Sequence, residues 1–564
     1  MKYSKKVILF FLILTVLLGG LLRFWKLASY PISLSIDEVG IGYDSYSILK
    51  TGKDQWGESF PLAFRSIGDY KPPVLEYLMI PAITVFGLNE FGTRFTVALF
   101  GTLTILFTFL LIKQISKNDL IALLSSFSLS ISPWHLQVSR MTSESVVALF
   151  FIIIGVWLFL KSVHEKKNLY WLSAIFFCLS LYTYHSARLF TPVMVFGLTI
   201  IYFKNIIKEK KRIILGILLG LILVIPFVYI MLTPLGRTRT QSVFISKDIE
   251  INSQLNVNNS RRTILNKIFD NNFLTLFNFW TKRYLNYFDF SYIFFEGVNL
   301  SSIKLPDVGL MYLIELPFLL LGLWQIIVNK KILGRQELIL VIFWVLIGPL
   351  AASLANNEQH ILRNLTTIPM LQFLVGIGLS VFILKLFRIS LAKKLLFFCL
   401  TPLLFIVSLV YYCDLYYVHY PIQFSEYWSY GMKEAALFAW DHQKEYKNII
   451  IDSSFGTQGP FTVSTPHLYV YFYGKYDPWL LQTDPLHDKE PNKGSADFLN
   501  FSFRPIYWPV DRYSKNTLFI GSPWSLPPED LDKAKVIKTI YFKNGATGFL
   551  IVASLEDKEN TSQN

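Results

Sequence analysis

Long apolar runs alternate with short polar breaks along most of this chain. Read from one charged residue to the next, the runs lie near 7–22, 95–112, 120–139, 145–160, 168–187, 189–203, 213–236, 309–329, 338–357, 364–384 and 395–413. Each approaches the roughly 20 residues that a helix needs to cross a bilayer, and the shorter ones complete a span by letting a flanking Lys or Arg snorkel. Lipid leaves no water to satisfy backbone groups, so helix is the expected form. The pattern predicts a polytopic α-helical membrane protein with about eleven transmembrane helices. A further apolar stretch, 72–89, carries Pro72, Pro73, Pro81 and Glu76, and reads as a helix lying in the outer interface. Glu315, the one carboxylate in the run 309–329, reads as a helix-end hydrogen-bonding device.

Charge then orients the spans, because Lys and Arg in short loops favour the cytoplasmic side. With 72–89 kept outside, the loops 2–6, 113–119, 161–168, 204–212, 329–337 and 385–394 hold twenty Lys and Arg, while the opposite short loops hold three: Arg140, Arg188 and Arg363. Letting 72–89 span would invert every later loop. The expected orientation is a cytoplasmic N-terminus and an extracytoplasmic C-terminus, in a bacterial plasma membrane. Lys2, Lys5 and Lys6 precede the first run, but Leu-Arg-Phe-Trp-Lys follows it instead of a small-residue cleavage site, so it reads as an anchor. The expected domains are a membrane part, 1–413, with extracytoplasmic loops 28–92 and 237–308, and a tail, 414–564. In the tail, β-rich runs (448–452, 517–521, 536–542, 548–553) alternate with helix-like stretches (426–441, 467–473), which predicts a small extracytoplasmic α/β domain. The aromatic-rich 277–295 reads as an amphipathic helix on the membrane surface.

Composition sharpens this picture. Charged residues make up 16% of the 564, against about 25% in soluble domains, and 53% are hydrophobic. This excludes a disordered chain and argues against a wholly soluble multidomain enzyme. The net charge of +14 sits largely in the cytoplasmic loops and calls for no nucleic acid. Cys178, Cys399 and Cys413 all lie in or at the end of apolar runs and form no disulfide framework or zinc pattern.

The ionisable groups gather at one membrane face. Asp37 and Glu38 stand in the first external loop, Lys71 follows in Gly-Asp-Tyr-Lys-Pro-Pro, and Arg140 and Glu144 bracket the next outer turn. His185 and Arg188 lie at another outer turn, and His360 and Arg363 at a third. A carboxylate can take a proton from an attacking hydroxyl or hold a divalent cation, while Lys, Arg and His stabilise charge gathering on a phosphate leaving group. Plainer readings exist for the same residues. An Asp-Glu pair commonly caps a helix, single interfacial Arg residues commonly snorkel, and His135 in Ser-Pro-Trp-His reads as structural. No spacing here makes a metal motif, so a divalent cation stays a possibility without named ligands.

Taken together, the motifs resemble the GT-C class of membrane glycosyltransferases, and within it the family 39 group with protein O-mannosyltransferases and the lipid A aminoarabinose transferase. The resemblance rests on Ser-Ile-Asp-Glu at 35–38, Gly-Asp-Tyr-Lys-Pro-Pro-Val-Leu-Glu-Tyr from 68, and Phe-Gly-Thr-Arg at 91–94. It continues with Ser-Pro-Trp-His-Leu-Gln-Val-Ser-Arg at 132–140, Tyr-Thr-Tyr-His-Ser-Ala-Arg at 182–188, Tyr-Ile-Phe-Phe-Glu-Gly at 292–297, Glu-Leu-Pro-Phe-Leu-Leu-Leu-Gly-Leu at 315–323 and His-Ile-Leu-Arg-Asn at 360–364. It implies an inverting transfer from a polyprenyl-phosphate sugar to a hydroxyl acceptor on a lipid, glycan or protein. Asp37 maps onto the base or ion-holding carboxylate, with Glu38 beside it, and Lys71 onto a donor-phosphate contact. Glu144 stands where the aminoarabinose branch has Asp. Arg140, Arg188, His360 and Arg363 are expected at the donor phosphate. The rival class is a transporter or flippase of lipid-linked sugars, which predicts mid-helix charges and broken helices in related halves. Neither feature is visible.

Overall fold

The computed structural model describes residues 4–66, 69–233, 244–260, 269, 271–297, 305, 307–329, 331–356, 359–386, 390–484, 496–531 and 534–554. The chain forms two compact units, residues 1–25 with 97–415 and residues 26–96 with 416–564.

Each of the eleven apolar runs holds helix. Among the described residues, seven helices are long and apolar enough to cross a membrane: Lys5–Phe24, Glu90–Ser116, Glu144–Glu165, Lys210–Leu232, Arg335–Ser353, Leu365–Leu386 and Leu391–Gln423. The other four runs appear as the shorter apolar helices Asp119–Ile131, Tyr170–Leu181, Ala187–Ile201 and Leu313–Val328. The run 120–139 is divided because Pro133 lacks the N–H that would continue the first helix and instead opens a second, Pro133–Ser139.

Within the helical unit, Glu144–Glu165 is buried along most of its length, whereas Lys210–Leu232 exposes Leu215, Leu218, Leu221, Ile222 and Ile225 as a lipid-facing rim helix does. Two helices, Leu316–Val328 and Ile368–Leu386, meet almost backbone to backbone. A Cβ at Gly378 would lie 1.9 Å from the Phe318 carbonyl oxygen, and one at Gly322 would lie 2.0 Å from that of Leu374. Helices in lipid gain little from burying apolar surface against one another, so small residues that permit such approach carry the packing. Glu315 is buried in this region, where it accepts the Tyr312 N–H at 3.0 Å and hydrogen-bonds the Ser128 hydroxyl.

The aromatic segment forms the helix Asn272–Asn286, with Phe273, Phe277, Trp280 and Tyr284 in successive ring contacts. Trp280 Nε1 donates to Ser353 Oγ at 3.0 Å and Tyr284 Oη to the Leu346 carbonyl at 2.6 Å, pinning the helix while Phe273 stays exposed.

The second unit contains the mixed fold expected of the tail. Its strands are β1 (Phe64–Arg65), β2 (Tyr70–Lys71), β3 (Asn448–Ile451), β4 (Ser454–Phe455), β5 (Thr462–Val463), β6 (Ala496–Phe498), β7 (Phe501–Phe503), β8 (Thr517–Gly521), β9 (Lys535–Tyr541) and β10 (Thr547–Ala553). A six-stranded sheet runs β6-β7-β3-β8-β10-β9, with β3 parallel to both β7 and β8 and the outer pairs antiparallel. Strand β8 is buried at every position, as a central strand covered on both faces should be. The expected helix 426–441 begins only at Met432, because Ser429 and Gly431 take positive φ values of 50° and 95° and turn the chain first. The stretch 72–89 gives the helix Val74–Phe86, 13 residues and therefore about 20 Å long, short of the ~30 Å core.

Candidate active site

Ser35-Ile36-Asp37-Glu38 opens the helix Ile36–Thr51 through a reciprocal capping box. The Glu38 N–H donates to Ser35 Oγ at 3.3 Å and the Ser35 N–H to Glu38 Oε2 at 2.9 Å, which satisfies two donors left open at the helix start. Glu38 is fully buried and meets Arg94 side-on, with Nε to Oε1 at 2.9 Å and Nη2 to Oε2 at 3.1 Å. Arg94 spends its remaining donors on the Leu27, Pro31 and Ser33 carbonyls. One buried guanidinium thus fixes both the incoming loop and the first turn of the helix.

Asp37, one position earlier, turns outward. Its side chain is 63% exposed and its Oδ1 lies 3.0 Å from Lys71 Nζ. The helix N-terminus adds a favourable field for its negative charge. Lys71 is placed by the β1/β2 ribbon, in which Phe64 pairs with Lys71 and Arg65 with Tyr70. Trp56 braces this ribbon: its Nε1 donates to the Arg65 carbonyl at 3.2 Å, and the Arg65 guanidinium sits 4.6 Å above its ring. The helix Ile36–Thr51 is itself packed on the tail. Tyr469 Oη donates to the Leu34 carbonyl at 2.8 Å, and Gln482 Nε2 reaches Ser47, Thr51 and the Asp54 carbonyl.

The helical unit holds a second set of site residues. His185, Arg188 and Arg363 line one cavity of about 290 Å³, with Tyr184, Met231 and Phe244. Its wall is closed where the Ile245 N–H donates to the Leu354 carbonyl at 2.9 Å and Phe244 bridges to Ala355. Arg188 has soft neighbours: its Nη1 is 3.4 Å from Met231 Sδ and its guanidinium 5.4 Å from the Phe227 ring centre. His360 lies one turn before Arg363 and donates its backbone N–H to Tyr287 Oη at 3.1 Å. Arg283 holds the approach to this turn, donating to the Ala355 carbonyl at 2.7 Å and pairing with Asp248 at 2.5 Å. Two guanidiniums and an imidazole over apolar walls suit a phosphate that carries a hydrocarbon chain.

Arg140 lies elsewhere. It is buried, and its Nη atoms donate to the Leu22, Arg23 and Trp25 carbonyls at 2.6, 3.0 and 2.8 Å, closing the end of the first helix. Glu144 opens the helix Glu144–Glu165, half-buried in its first turn. Asp37 and Glu38 do not make a two-carboxylate cation site, because the Glu38 oxygens face Arg94 and the Ser35 N–H. Among the described residues no group of three His, Cys, Asp or Glu side chains is arranged to hold a metal ion. Arg94, the last residue of the motif Phe-Gly-Thr-Arg, is the residue that fixes Glu38. An arginine directly before the apolar run 95–112, within an apolar helix, needs a partner, and that is the signal the sequence carries.

The chain has an ArnT-like fold, in a multi-pass integral membrane protein. ArnT from Cupriavidus metallidurans, in a crystal structure bound to undecaprenyl phosphate, is similar over 98% of this chain and 99% of its own, with a TM-score of 0.54 and 11% identity. The archaeal oligosaccharyltransferase AglB from Archaeoglobus fulgidus, in complex with an inhibitory peptide and a dolichol-phosphate, is similar over 100% of this chain and 76% of its own, with a TM-score of 0.51 and 13% identity. In sequence, residues 70–230 match the family described as dolichyl-phosphate-mannose-protein mannosyltransferase. The chain is 31% identical over 145 residues to an uncharacterized protein of Aquifex aeolicus and 30% identical over 107 residues to the putative mannosyltransferase YkcB of Bacillus subtilis. These matches span 28% and 15% of the relatives' own lengths.

Proposed function

We propose that the protein transfers a sugar from a polyprenyl-phosphate donor to a hydroxyl acceptor on the extracytoplasmic face, with inversion at the anomeric carbon. The observation that carries this reading is the cavity in which Arg188, Arg363 and His185 meet over apolar walls. Such a site suits a phosphate with a lipid tail, and the ArnT and AglB structures named above hold undecaprenyl phosphate and a dolichol-phosphate. Asp37, an exposed carboxylate of the first external segment, takes the proton of the acceptor hydroxyl. As that oxygen forms its bond to the anomeric carbon, the bond from carbon to phosphate oxygen breaks. The electron pair leaves on the polyprenyl phosphate, whose charge the guanidiniums stabilise. Lys71 pairs with Asp37 and holds its side chain in place. Glu38 acts through the capping box and touches no reactant.

The test reconstitutes the full chain in vesicles with a polyprenyl-phosphate sugar and follows both cleavage of the sugar and movement of the intact lipid. Transfer reading: the sugar–phosphate bond is broken, and Arg188→Ala or Arg363→Ala lowers donor use at least tenfold, about 1.4 kcal/mol or more. Movement of intact lipid without cleavage, lost in the same variants, would establish a flippase and end the transferase reading.

A further inference from the structure

The second unit carries a short hairpin, β4/β5, that has no part in the roles given above. Phe461 and Val463, either side of Thr462 where β5 begins, turn outward and are 80% and 69% exposed. Trp524 reaches the hairpin from the loop after β8. Its Nε1 donates to the Gly456 carbonyl at 2.9 Å, which fixes the indole while leaving much of it exposed. Exposed Phe, Val and Trp on adjoining loops make an apolar surface that calls for a covering partner.

Both loops are also free of charge. No Lys, Arg, Asp or Glu occurs from 453 to 474 or from 516 to 528. Other exposed aromatics of the same unit differ in this respect. Tyr507 and Tyr513 stand close in sequence to the Arg504–Asp511 pair, and the Arg512 guanidinium covers the Tyr513 ring at 5.1 Å. A partner met in water is bordered by a polar rim, as Tyr507 and Tyr513 are. An uncharged tip of Phe, Val and Trp suits the headgroup layer of a bilayer, where aromatic side chains collect.

The tether of the hairpin names the surface that lies near. Glu426 clasps both limbs: its Oε2 accepts the Thr457 N–H at 3.2 Å and the Thr457 hydroxyl at 2.7 Å, and its Oε1 accepts the Thr462 hydroxyl at 3.3 Å. Glu426 follows the last membrane helix, Leu391–Gln423, by three residues, so its Cα lies within about 11 Å of the helix end. That helix has 33 residues and is about 50 Å long. At a tilt of about 20° it covers roughly 45 Å, the thickness of a bilayer with both headgroup layers included. Its exposed face, Val407, Tyr411, Val418 and Ile422, is interrupted once, by Asp414, and exposed Tyr427 beside Glu426 continues it toward the hairpin. We infer that the β4/β5 hairpin rests on the bilayer surface at which this helix ends, with Phe461 and Val463 inserted among the lipid headgroups. The contact anchors the tail to lipid a second time, and it holds whether or not the protein is a transferase.

The test uses the full-length protein without its native cysteines, carrying one nitroxide at Phe461→Cys, Val463→Cys or Tyr513→Cys, in phosphatidylcholine nanodiscs. Power saturation compares molecular oxygen, which concentrates in lipid, with a nickel chelate that stays in water. The oxygen-to-nickel accessibility ratio at the two hairpin sites should exceed that at the Tyr513 site several-fold, and the excess should vanish when amphipol replaces the lipid. Equal ratios at all three sites would overturn the inference by placing the hairpin in water. Protection of the hairpin sites from both relaxants, in nanodisc and amphipol alike, would also overturn it, since protein then covers them. Unlabelled variants show whether a nitroxide drives its own insertion. Phe461→Cys and Val463→Cys should react with a water-soluble maleimide several-fold more slowly in nanodiscs than in amphipol, and Tyr513→Cys equally fast in both. Reaction of the hairpin cysteines at the same rate in both would leave the inference without its contact.

Discussion

Glu38 and Asp37 are adjacent in sequence and opposite in environment. Glu38 is the buried partner of Arg94, so removing it leaves a charged guanidinium with carbonyls alone. Breaking one side of a buried ion pair typically costs about 3–5 kcal/mol. Glu38→Ala should therefore lower the melting temperature of the purified protein clearly, while Asp37→Ala, at a side chain 63% exposed, should change it little. Equal melting of both variants would remove the positioning role from Glu38. A second buried carboxylate gives a pH signature. Burial pushes Asp54 up to about 6 despite N–H donors from Trp56 and Glu58, and burial also raises Asp44 well above the usual carboxylate range. A folded-state value above the unfolded one means that the native state binds the extra proton. The stabilisation is complete below about pH 4 and lost as pH rises through 6. Melting of the unaltered protein should fall between pH 5 and 7.5 by more than that of Asp54→Asn, and parallel curves would refute the assignment. The capping role of Glu38 was legible, since Ser-x-x-Glu before an apolar run is a helix-start signature. Its pairing with Arg94, 56 residues away, has no local trace.

Among the elements, those that follow a strong period were readable and those made by tertiary contact were not. Every apolar run became helix, because a segment in lipid has no other way to satisfy its backbone. The strands β3, β8, β9 and β10 fall where β-rich runs stand. The β6/β7 hairpin was missed: its turn is Leu499-Asn500, with Leu499 at φ 51°, where glycine would have announced it. The meeting of His185, Arg188 and Arg363 in one cavity depends on which helices pack together, which periodicity does not encode. The glycine contacts offer a direct check on that packing. Gly378→Ala places a methyl against the Phe318 carbonyl, where backbone has to move, so it should destabilise the helical unit by about 1–3 kcal/mol or more. Gly220→Ala, whose Cβ would meet only Ala174 at 3.6 Å, should be nearly neutral. Similar melting of the two variants would contradict the packing described.

For the molecule as a whole, twenty Lys and Arg in one set of short loops against three in the other are the basis on which we propose that the Asp37 segment and the tail face outward. In a background without the native cysteines, Asn500→Cys should react with a membrane-impermeant thiol reagent in intact cells and Asn205→Cys should not. Reversed labelling would place the chemistry on the other face. The most direct test of the transfer mechanism is the single-turnover rate of sugar transfer in Asp37→Asn, measured alongside binding of the polyprenyl phosphate. Asn keeps the size and polarity of the side chain and removes the charge that takes the proton. Transfer should fall by ~10² or more, while lipid-phosphate binding stays within a few-fold of the unaltered protein. Near-normal transfer by Asp37→Asn would contradict its role as the base.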